Sequence, residues 1–207
     1  MDWSALLNKS DSLYGKLHNT HVEFFDLWKK YPIYLEMVFM MRIVLAILFI
    51  CLCFKWGDRK NWKLFYPTVL FYIISNLSYD ILTYSKPLWL YSGSFWNHTF
   101  ADYFVAFFTY PAIIILFLSN FPKKILRQVL YIVFWVFIMS FVEYIMHING
   151  GIKYYNGWSI GWSILFDSIM FSLLFLNYKK PLLSWIISIV LAFSLMFIFN
   201  IAFSSLR

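Results

Sequence analysis

The chain has 207 residues, of which 62% are hydrophobic, 24% aromatic and 13% charged, and its formal net charge is +7. A soluble domain carries about 25% charged residues, so this composition excludes a water-soluble globule and indicates an integral membrane protein. The positive charge lies in short loop clusters that membrane topology explains, so we expect no nucleic-acid partner.

The first 34 residues place leucine and aromatic side chains among Lys, Asp and His. This loosely amphipathic pattern predicts an interfacial segment that lies on the bilayer surface. A cap packed over the membrane mouth of the bundle is the alternative. The predicted organisation is therefore an amphipathic segment, residues 1–34, followed by a transmembrane domain, residues 35–207.

Six apolar segments follow, and each has the length of about 20 residues that a helix needs to cross a bilayer. Helices are expected because lipid-exposed backbone groups must be paired within their own segment. The predicted fold is thus all-α, a polytopic integral membrane protein with a bundle of six transmembrane helices. Pro67 falls in the first turn of the second span, and Pro111 predicts a kink in the third. The spans are Leu35–Phe54, Leu64–Tyr84, Asn97–Ser119, Ile125–Ile148, Trp158–Leu176 and Leu182–Ser204.

Cys51 and Cys53 lie two positions apart in the first span. Side chains at this spacing do not face each other on a helix, so we expect no disulfide between them. Two thiols are also too few for a cysteine metal site. Both are interpreted as small packing residues.

The loop charges predict the orientation. Lysine and arginine are concentrated in loops 55–63, 120–127 and 177–181, whereas the other loops hold only Lys86 and Lys153. The positive-inside rule places the basic loops in the cytoplasm and both termini outside. Lys29 and Lys30, close to the first span, favour the opposite orientation.

Tryptophan and tyrosine are frequent near the span ends, where amphipathic rings are typical of the membrane interface. We interpret five tryptophans as interface anchors on this basis. They are Trp56, Trp62, Trp89, Trp96 and Trp158.

With this topology, the strongly polar side chains within the spans lie in the outer half of the bilayer. Many are four positions apart, a spacing that puts two side chains on one helix face. Such stripes face the bundle interior, because lipid does not tolerate them. The stripes are Asn76/Asp80, His98/Asp102, Glu143/His147 and Ser159/Ser163/Asp167, with Glu36, Arg42 and Asn200 as supporting polar residues.

An ionised acid at the membrane centre costs roughly 3 kcal/mol, so five bare acids would cost on the order of 10 kcal/mol. Arg42 can neutralise one of them, and protonated His98 and His147 two more. The remainder must be protonated, hydrated or bound to a cation. The sequence therefore predicts a hydrated cavity, open to the outer face, with excess negative charge. The five acids are Glu36, Asp80, Asp102, Glu143 and Asp167.

One hypothesis for this cavity is binding of a metal or small ligand, with metal-dependent hydrolysis of lipid-type substrates. Imidazole and carboxylate suit zinc or a similar divalent cation, and a remaining carboxylate can act as general base on metal-bound water. The predicted metal ligands are His98, His147, Asp102 and Asp167, and the predicted catalytic residues are Glu143, Asp102 and Asp80.

Two other hypotheses remain open. The chain is a cation- or proton-conducting protein or transporter subunit in one, since intramembrane acids are typical of relays. In the other it is a structural or regulatory subunit whose polar residues only hold helices together, for instance by pairing Arg42 with Glu36 or Asp80. The expected partners are the lipid bilayer and a membrane protein, or a second copy of this chain.

The stretches "HTFADYF" (98–104) with Pro111, Glu143, and "YYNGW" (154–158) resemble a family of uncharacterised small multi-pass membrane proteins of endospore-forming Firmicutes. The resemblance covers most of the third to fifth spans. It implies a bacterial plasma-membrane location and no particular reaction.

Overall fold

The computed structural model describes residues 32–91 and 98–201, with the backbone alone for residues 32–36 and 98. This part of the chain is mostly helical and contains six helices, five of them long and apolar enough to cross a membrane. The predicted interfacial segment, residues 1–34, lies outside the described residues except for 32–34. Those three residues already belong to the first helix.

The helices follow the predicted spans closely. Helix α2 has 21 residues but is not among the five membrane-spanning candidates, because its mean hydropathy is lowered by polar side chains. A turn of 3₁₀-helix, Arg59–Asn61, precedes it. The bounds are α1 Pro32–Trp56, α2 Trp62–Leu82, α3 His98–Ser119, α4 Ile125–Ile148, α5 Ile160–Lys179 and α6 Pro181–Ile198.

Helix α3 is interrupted near its middle. Its α-helical ends, His98–Phe104 and Tyr110–Ser119, are joined by a π-helical turn, Val105–Thr109. Pro111 is the second residue after this turn and lacks the N–H that a regular helix would need there. The predicted irregularity at Pro111 therefore takes the form of a widened turn.

The second proline prediction is wrong. Helix α2 begins at Trp62, so Pro67 lies inside the helix rather than in its first turn. The predicted start at Leu64 was two residues too late, because Trp62 and Lys63 extend the helix beyond the apolar run. Pro67 therefore leaves one carbonyl group of the preceding turn without its helical N–H partner.

A short two-stranded sheet, which the all-α prediction did not include, covers one end of the bundle. Strand β1, Trp89–Tyr91, pairs antiparallel with β2, Ile152–Tyr154, so that Leu90 lies opposite Lys153. The hydroxyl of Tyr79 accepts hydrogen bonds of 3.1 Å from the backbone N–H groups of Leu88 and Trp89. The sheet therefore joins the loop after α2 to the loop after α4.

Apolar side chains are arranged as expected for a protein in lipid. Ile125, Leu182 and Phe197 are each about 80% exposed, the opposite of their usual place in a soluble protein. The largest buried cluster contains Phe117, Phe171 and other residues from the half of the bundle away from the sheet. Two smaller clusters lie beneath the sheet, around Leu88 and around Val38.

Helix packing brings the polar positions together between these apolar clusters. Helix α4 packs on α5, α3 on α1 and α2, and α2 also contacts α5. On α5, Ser163 and Asp167 lie between Trp158 of a sheet-side cluster and Phe171 of the large cluster.

Candidate functional site

Two carboxyl groups meet between helices α2 and α3. Asn76 and Asp80 lie one turn apart on α2, and both face Asp102. The Asn76 side-chain amide donates a hydrogen bond of 2.7 Å to Oδ2 of Asp102. The carboxyl group of Asp80 lies within hydrogen-bonding reach of the same residue. Asp102 is only 3% exposed, so the pair is shielded from solvent.

A third carboxyl group, that of Glu143 on α4, is held by two donors. The Tyr154 hydroxyl donates to its Oε1 at 2.6 Å, and the Ser163 hydroxyl donates to the same oxygen at 2.5 Å. The Trp158 indole N–H in turn donates to the Ser163 oxygen at 2.9 Å. Donors from α5 and strand β2 thus converge on one carboxyl group, and Trp158 in the loop before α5 supports one of them.

Asp167 lies one turn beyond Ser163 on α5, close enough to Glu143 for the two acids to interact electrostatically. Its Oδ2 atom is buried and has no hydrogen-bond partner among the residues that the structure describes. Burying an ionised carboxylate without a partner is costly. Of the two acids, Glu143 therefore has the surroundings of a carboxylate and Asp167 those of a neutral acid.

Three tyrosine hydroxyls lie between these two groups of acids. The hydroxyl of Tyr110 on α3 is 3.1 Å from that of Tyr91 on β1. The hydroxyl of Tyr72 on α2 lies within hydrogen-bonding reach of Tyr110, and the two rings make edge-to-face contact at 4.7 Å. We refer to Tyr72, Tyr91 and Tyr110 as the tyrosine triad.

The triad is electrostatically close to both groups of acids. Tyr72 interacts with Asp102 and Asp167, whereas Tyr91 interacts with Asp102 and Glu143. Its hydroxyls thus come from three different elements and occupy the space between the acids of α2–α3 and those of α4–α5.

Arg42 is the buried cation of this region, with 6% of its surface exposed. Its Nη2 donates a hydrogen bond of 2.7 Å to the carbonyl oxygen of Gly151. Its guanidinium group also lies over the ring of Tyr91, 5.3 Å from the centroid. Arg42 therefore links α1 to strand β1 and to the residue that precedes β2.

The predicted histidine ligands have different outcomes. His147 stacks on Tyr154 at 4.2 Å, and its Nδ1 is 3.0 Å from the carbonyl oxygen of Ile152. These contacts hold His147 at the sheet. The side chain of His98 lies outside the described residues. Among residues 37–91 and 99–201, no group of three His, Cys, Asp or Glu side chains is arranged to hold a metal ion.

The residues predicted as supporting polar groups also differ in outcome, since some belong to the site and others do not. Arg42, Asn76 and Ser163 belong to the site, whereas the side chain of Glu36 lies outside the described residues. Asn200 was wrongly placed inside the sixth span, because α6 ends at Ile198. Asn200 has a positive φ of 50°, the left-handed conformation that ends helices, and its carbonyl oxygen accepts a hydrogen bond from Lys86.

The two tyrosines of the sheet are kept neutral. Burial, together with nearby Asp102, raises the pKa of the Tyr91 hydroxyl above its ordinary value. Burial and the hydrogen bond to Glu143 raise the pKa of Tyr154 in the same direction. Both hydroxyls therefore remain available as hydrogen-bond donors at neutral pH.

Comparison of the chain with protein-family models, curated proteins and solved structures finds no match.

The sequence analysis missed the aromatic members of the site. Trp158 is 6% exposed and donates to Ser163, so its interface-anchor prediction is wrong. Trp89 stacks on Tyr79 at 3.8 Å, and Trp96 lies outside the described residues. Trp56 and Trp62 are exposed, as expected for anchors. One signal was present: Tyr72, Asn76 and Asp80 continue a single four-residue stripe.

Proposed function

We propose that this chain is an integral membrane protein that binds protons, or a small cation in their place, at the carboxyl groups inside its helical bundle. The observation that carries the proposal is the contact between Asp80 and Asp102. An ionised carboxylate only accepts hydrogen bonds, so two carboxyl groups in contact need one proton between them. Loss of that proton requires another cation in its place.

The second group of acids supports the same function. Glu143 is satisfied as an anion by Tyr154 and Ser163, whereas the buried Asp167 oxygen has no described partner. A neutral Asp167 gives the interior a second exchangeable proton. Arg42, bound to Gly151 at the sheet, supplies a fixed positive charge near Tyr91. The acids outnumber this cation, so the site favours positively charged guests.

The proposed membrane arrangement has six spans, with α2 as the sixth despite its polar side chains. Asp80 and Asn76 face Asp102, so α2 can keep its polar face away from lipid. The basic loops would lie in the cytoplasm and both termini outside a bacterial plasma membrane, with residues 1–34 on the outer surface. Labelling of Lys123→Cys in a Cys51→Ala/Cys53→Ala background tests the orientation. Reaction in intact cells would exclude it.

Proton displacement tests the proposed function. Purified protein in lipid nanodiscs, in weak buffer with a pH-sensitive dye, is mixed with Na⁺, Ca²⁺, Zn²⁺ or tetramethylammonium. We expect at least one of these cations to release protons, and the release to fall in Asp102→Asn and Asp167→Asn. Asp58→Asn, in a basic loop, is the matched control. Without proton release by any cation, and without proton uptake after a pH jump, the proposal fails.

A hydrolase is the second candidate, and the Asp80–Asp102 contact is the observation that favours it. Two acids that share one proton can act as general acid and general base. A metal-dependent form requires His98 as a ligand, because the described side chains alone form no group that can hold a metal ion. His98 precedes Asp102 by one turn on α3. Metal analysis of the purified protein tests this form: stoichiometric zinc that is lost in His98→Ala/His147→Ala favours a metal enzyme. Hydrolysis of fluorogenic lipid esters that persists without metal favours the acid pair.

Conduction across the bilayer has less support. Beyond the acids, the helices pack through the large apolar cluster that contains Phe117, Trp135 and Phe171. An ion that reaches Asp102 from the sheet side meets no charged side chain among the members of that cluster. Binding from one side of the membrane is therefore the form of the proposal that the packing favours.

A further inference from the structure

We propose that the tyrosine triad is a proton relay that connects the Asp80–Asp102 pair with the Glu143–Asp167 pair. This inference rests on the proposed function, because it assumes protons at both pairs. It assigns a role to three hydroxyls that are buried in the bundle rather than placed at the membrane interface.

The geometry of the triad suits a relay. Tyr91 and Tyr110 are joined at 3.1 Å by a hydrogen bond in which either oxygen can be the donor. Tyr72, on α2, extends this row of hydroxyls by its contact with Tyr110. A hydroxyl both donates and accepts, so a row of hydroxyls can reverse its direction after each transfer.

The ends of the triad reach the acids of both pairs. Tyr72 has Asp102 and Asp167 within electrostatic range, and Tyr91 has Asp102 and Glu143. In one transfer, the proton leaves the Asp80–Asp102 pair for a tyrosine oxygen. Each hydroxyl passes its own proton to the next oxygen, and a carboxylate of the second pair accepts the last one. The proposal includes a bridging water molecule between each end of the triad and the nearby carboxyl group. Every tyrosine is neutral again afterwards.

Arg42 positions one end of this relay. Its guanidinium group lies over the Tyr91 ring and is fixed by the Gly151 carbonyl oxygen, which keeps β1 and β2 at the bundle. A cation at this place disfavours addition of a second proton to the neutral Tyr91 hydroxyl, because that would place two positive charges side by side. The relay thus passes protons between the acids without storing them on the tyrosine.

Hydrogen–deuterium exchange of the protonated carboxyl groups tests the relay. Nanodiscs are moved into D₂O, and the two carboxylic-acid C=O bands are followed by infrared spectroscopy, with Asp102→Asn and Asp167→Asn identifying them. In the wild type, we expect both bands to exchange with one rate constant, because the pairs share protons. In Tyr110→Phe, the two rate constants should separate by about a hundredfold, the lower range for a positioned proton-transfer group.

The control is Tyr131→Phe, which removes a hydroxyl that donates to the Phe117 backbone in the large apolar cluster. It should leave both rates unchanged, and thermal unfolding confirms that each variant is folded. A single common rate in folded Tyr110→Phe, or two different rates in the wild type, overturns the relay alone. Absence of both carboxylic-acid bands in the wild type overturns the proposed function instead.

Discussion

Asn76 and Asp102, separated by 26 positions in the sequence, are joined by a hydrogen bond of 2.7 Å between helices α2 and α3. The carboxyl group of Asp80 lies within hydrogen-bonding reach of the same aspartate. The contact with Asn76 therefore holds Asp102 in place beside Asp80. It also stabilises the orientation of α2 in which the least apolar face of the helix lies inside the bundle.

Two substitutions of Asp102 should show whether stability depends on the charge of this side chain or on its shape and hydrogen bonds. Asp102→Asn keeps a planar group that can accept from Asn76 and donate to Asp80, so we expect little loss of stability. Asp102→Ala leaves buried polar groups without a partner, which costs about 1–3 kcal/mol. Thermal or denaturant unfolding in detergent measures the difference. An asparagine variant as unstable as the alanine variant would contradict the shared-proton arrangement.

The two donors to Glu143 should be coupled to it. Ser163→Ala and Tyr154→Phe each remove one hydrogen bond to a charged acceptor, a loss of about 1.5–3 kcal/mol. In the Glu143→Gln background the same substitutions should cost less, because the acceptor is then neutral. A double-mutant cycle on unfolding free energies measures this coupling. Ser172→Ala, which loses a bond only to its own helix, is the control and should show no coupling.

Arg42 should not be replaceable by lysine. Arg42→Lys and Arg42→Met both lose the Nη2 hydrogen bond to Gly151 and the planar contact with Tyr91. We expect each variant to lose about 2 kcal/mol in unfolding free energy. Arg127→Lys, in the first turn of α4, is the control. Full stability of Arg42→Lys would mean that charge alone, without the guanidinium geometry, is what the site requires.

Gly151 leaves little room for a side chain. A Cβ atom built there would lie 3.1 Å from both the Met146 backbone oxygen and Val38 Cγ1, and 2.8 Å from the flexible Met146 Cε, within a buried cluster. Gly151→Ala should therefore cost about 1–3 kcal/mol by overpacking. Gly161→Ala is the matched control, because its Cβ would meet only the Ser159 hydroxyl, at 3.7 Å. Equal stability of the two variants would contradict the close packing of the sheet on α1 and α4.

The raised pKa values of the two sheet tyrosines, Tyr91 and Tyr154, predict that the folded protein loses stability at alkaline pH. Their raised pKa values mean that the folded chain holds the phenolic protons more tightly than the unfolded chain does. The stabilisation is present in full below the unfolded value of about 10 and is lost as the pH rises above it. Tyr154→Phe should lose less stability between neutral and alkaline pH than the wild type. The exposed Tyr84→Phe should follow the wild type.

The sequence predicted the helices well, and the exceptions have local causes. The span Ile125–Ile148 agrees at both ends with α4, because charged or helix-breaking residues flank it. The sixth span was extended to Ser204 because residues beyond Ile198 are apolar, yet the left-handed Asn200 marks the end of the helix. The three-residue strands carry too little pattern to be predicted, since their pairing joins residues about 60 positions apart.

The site was predicted in part for a clear physical reason. Lipid excludes charged groups, so the four-residue stripes of Asp80, Asp102, Glu143 and Asp167 had to face inward. Which donors satisfy them depends on helix rotation and on the sheet, which the stripes do not contain. Tyr72 and Tyr110 were overlooked because a phenol ring is compatible with both lipid and the bundle interior. Only contacts between helices distinguish these two environments.

The most direct test is the infrared spectrum of the protein in nanodiscs at pH 7. We predict a carboxylic-acid C=O band that persists in Asp167→Asn and is lost in both Asp167→Asn/Asp80→Asn and Asp167→Asn/Asp102→Asn. The second substitution removes the need for a shared proton, since the new amide donates in its place. A band in Asp167→Asn that neither second substitution changes, or no such band at all, would contradict a proton held between Asp80 and Asp102.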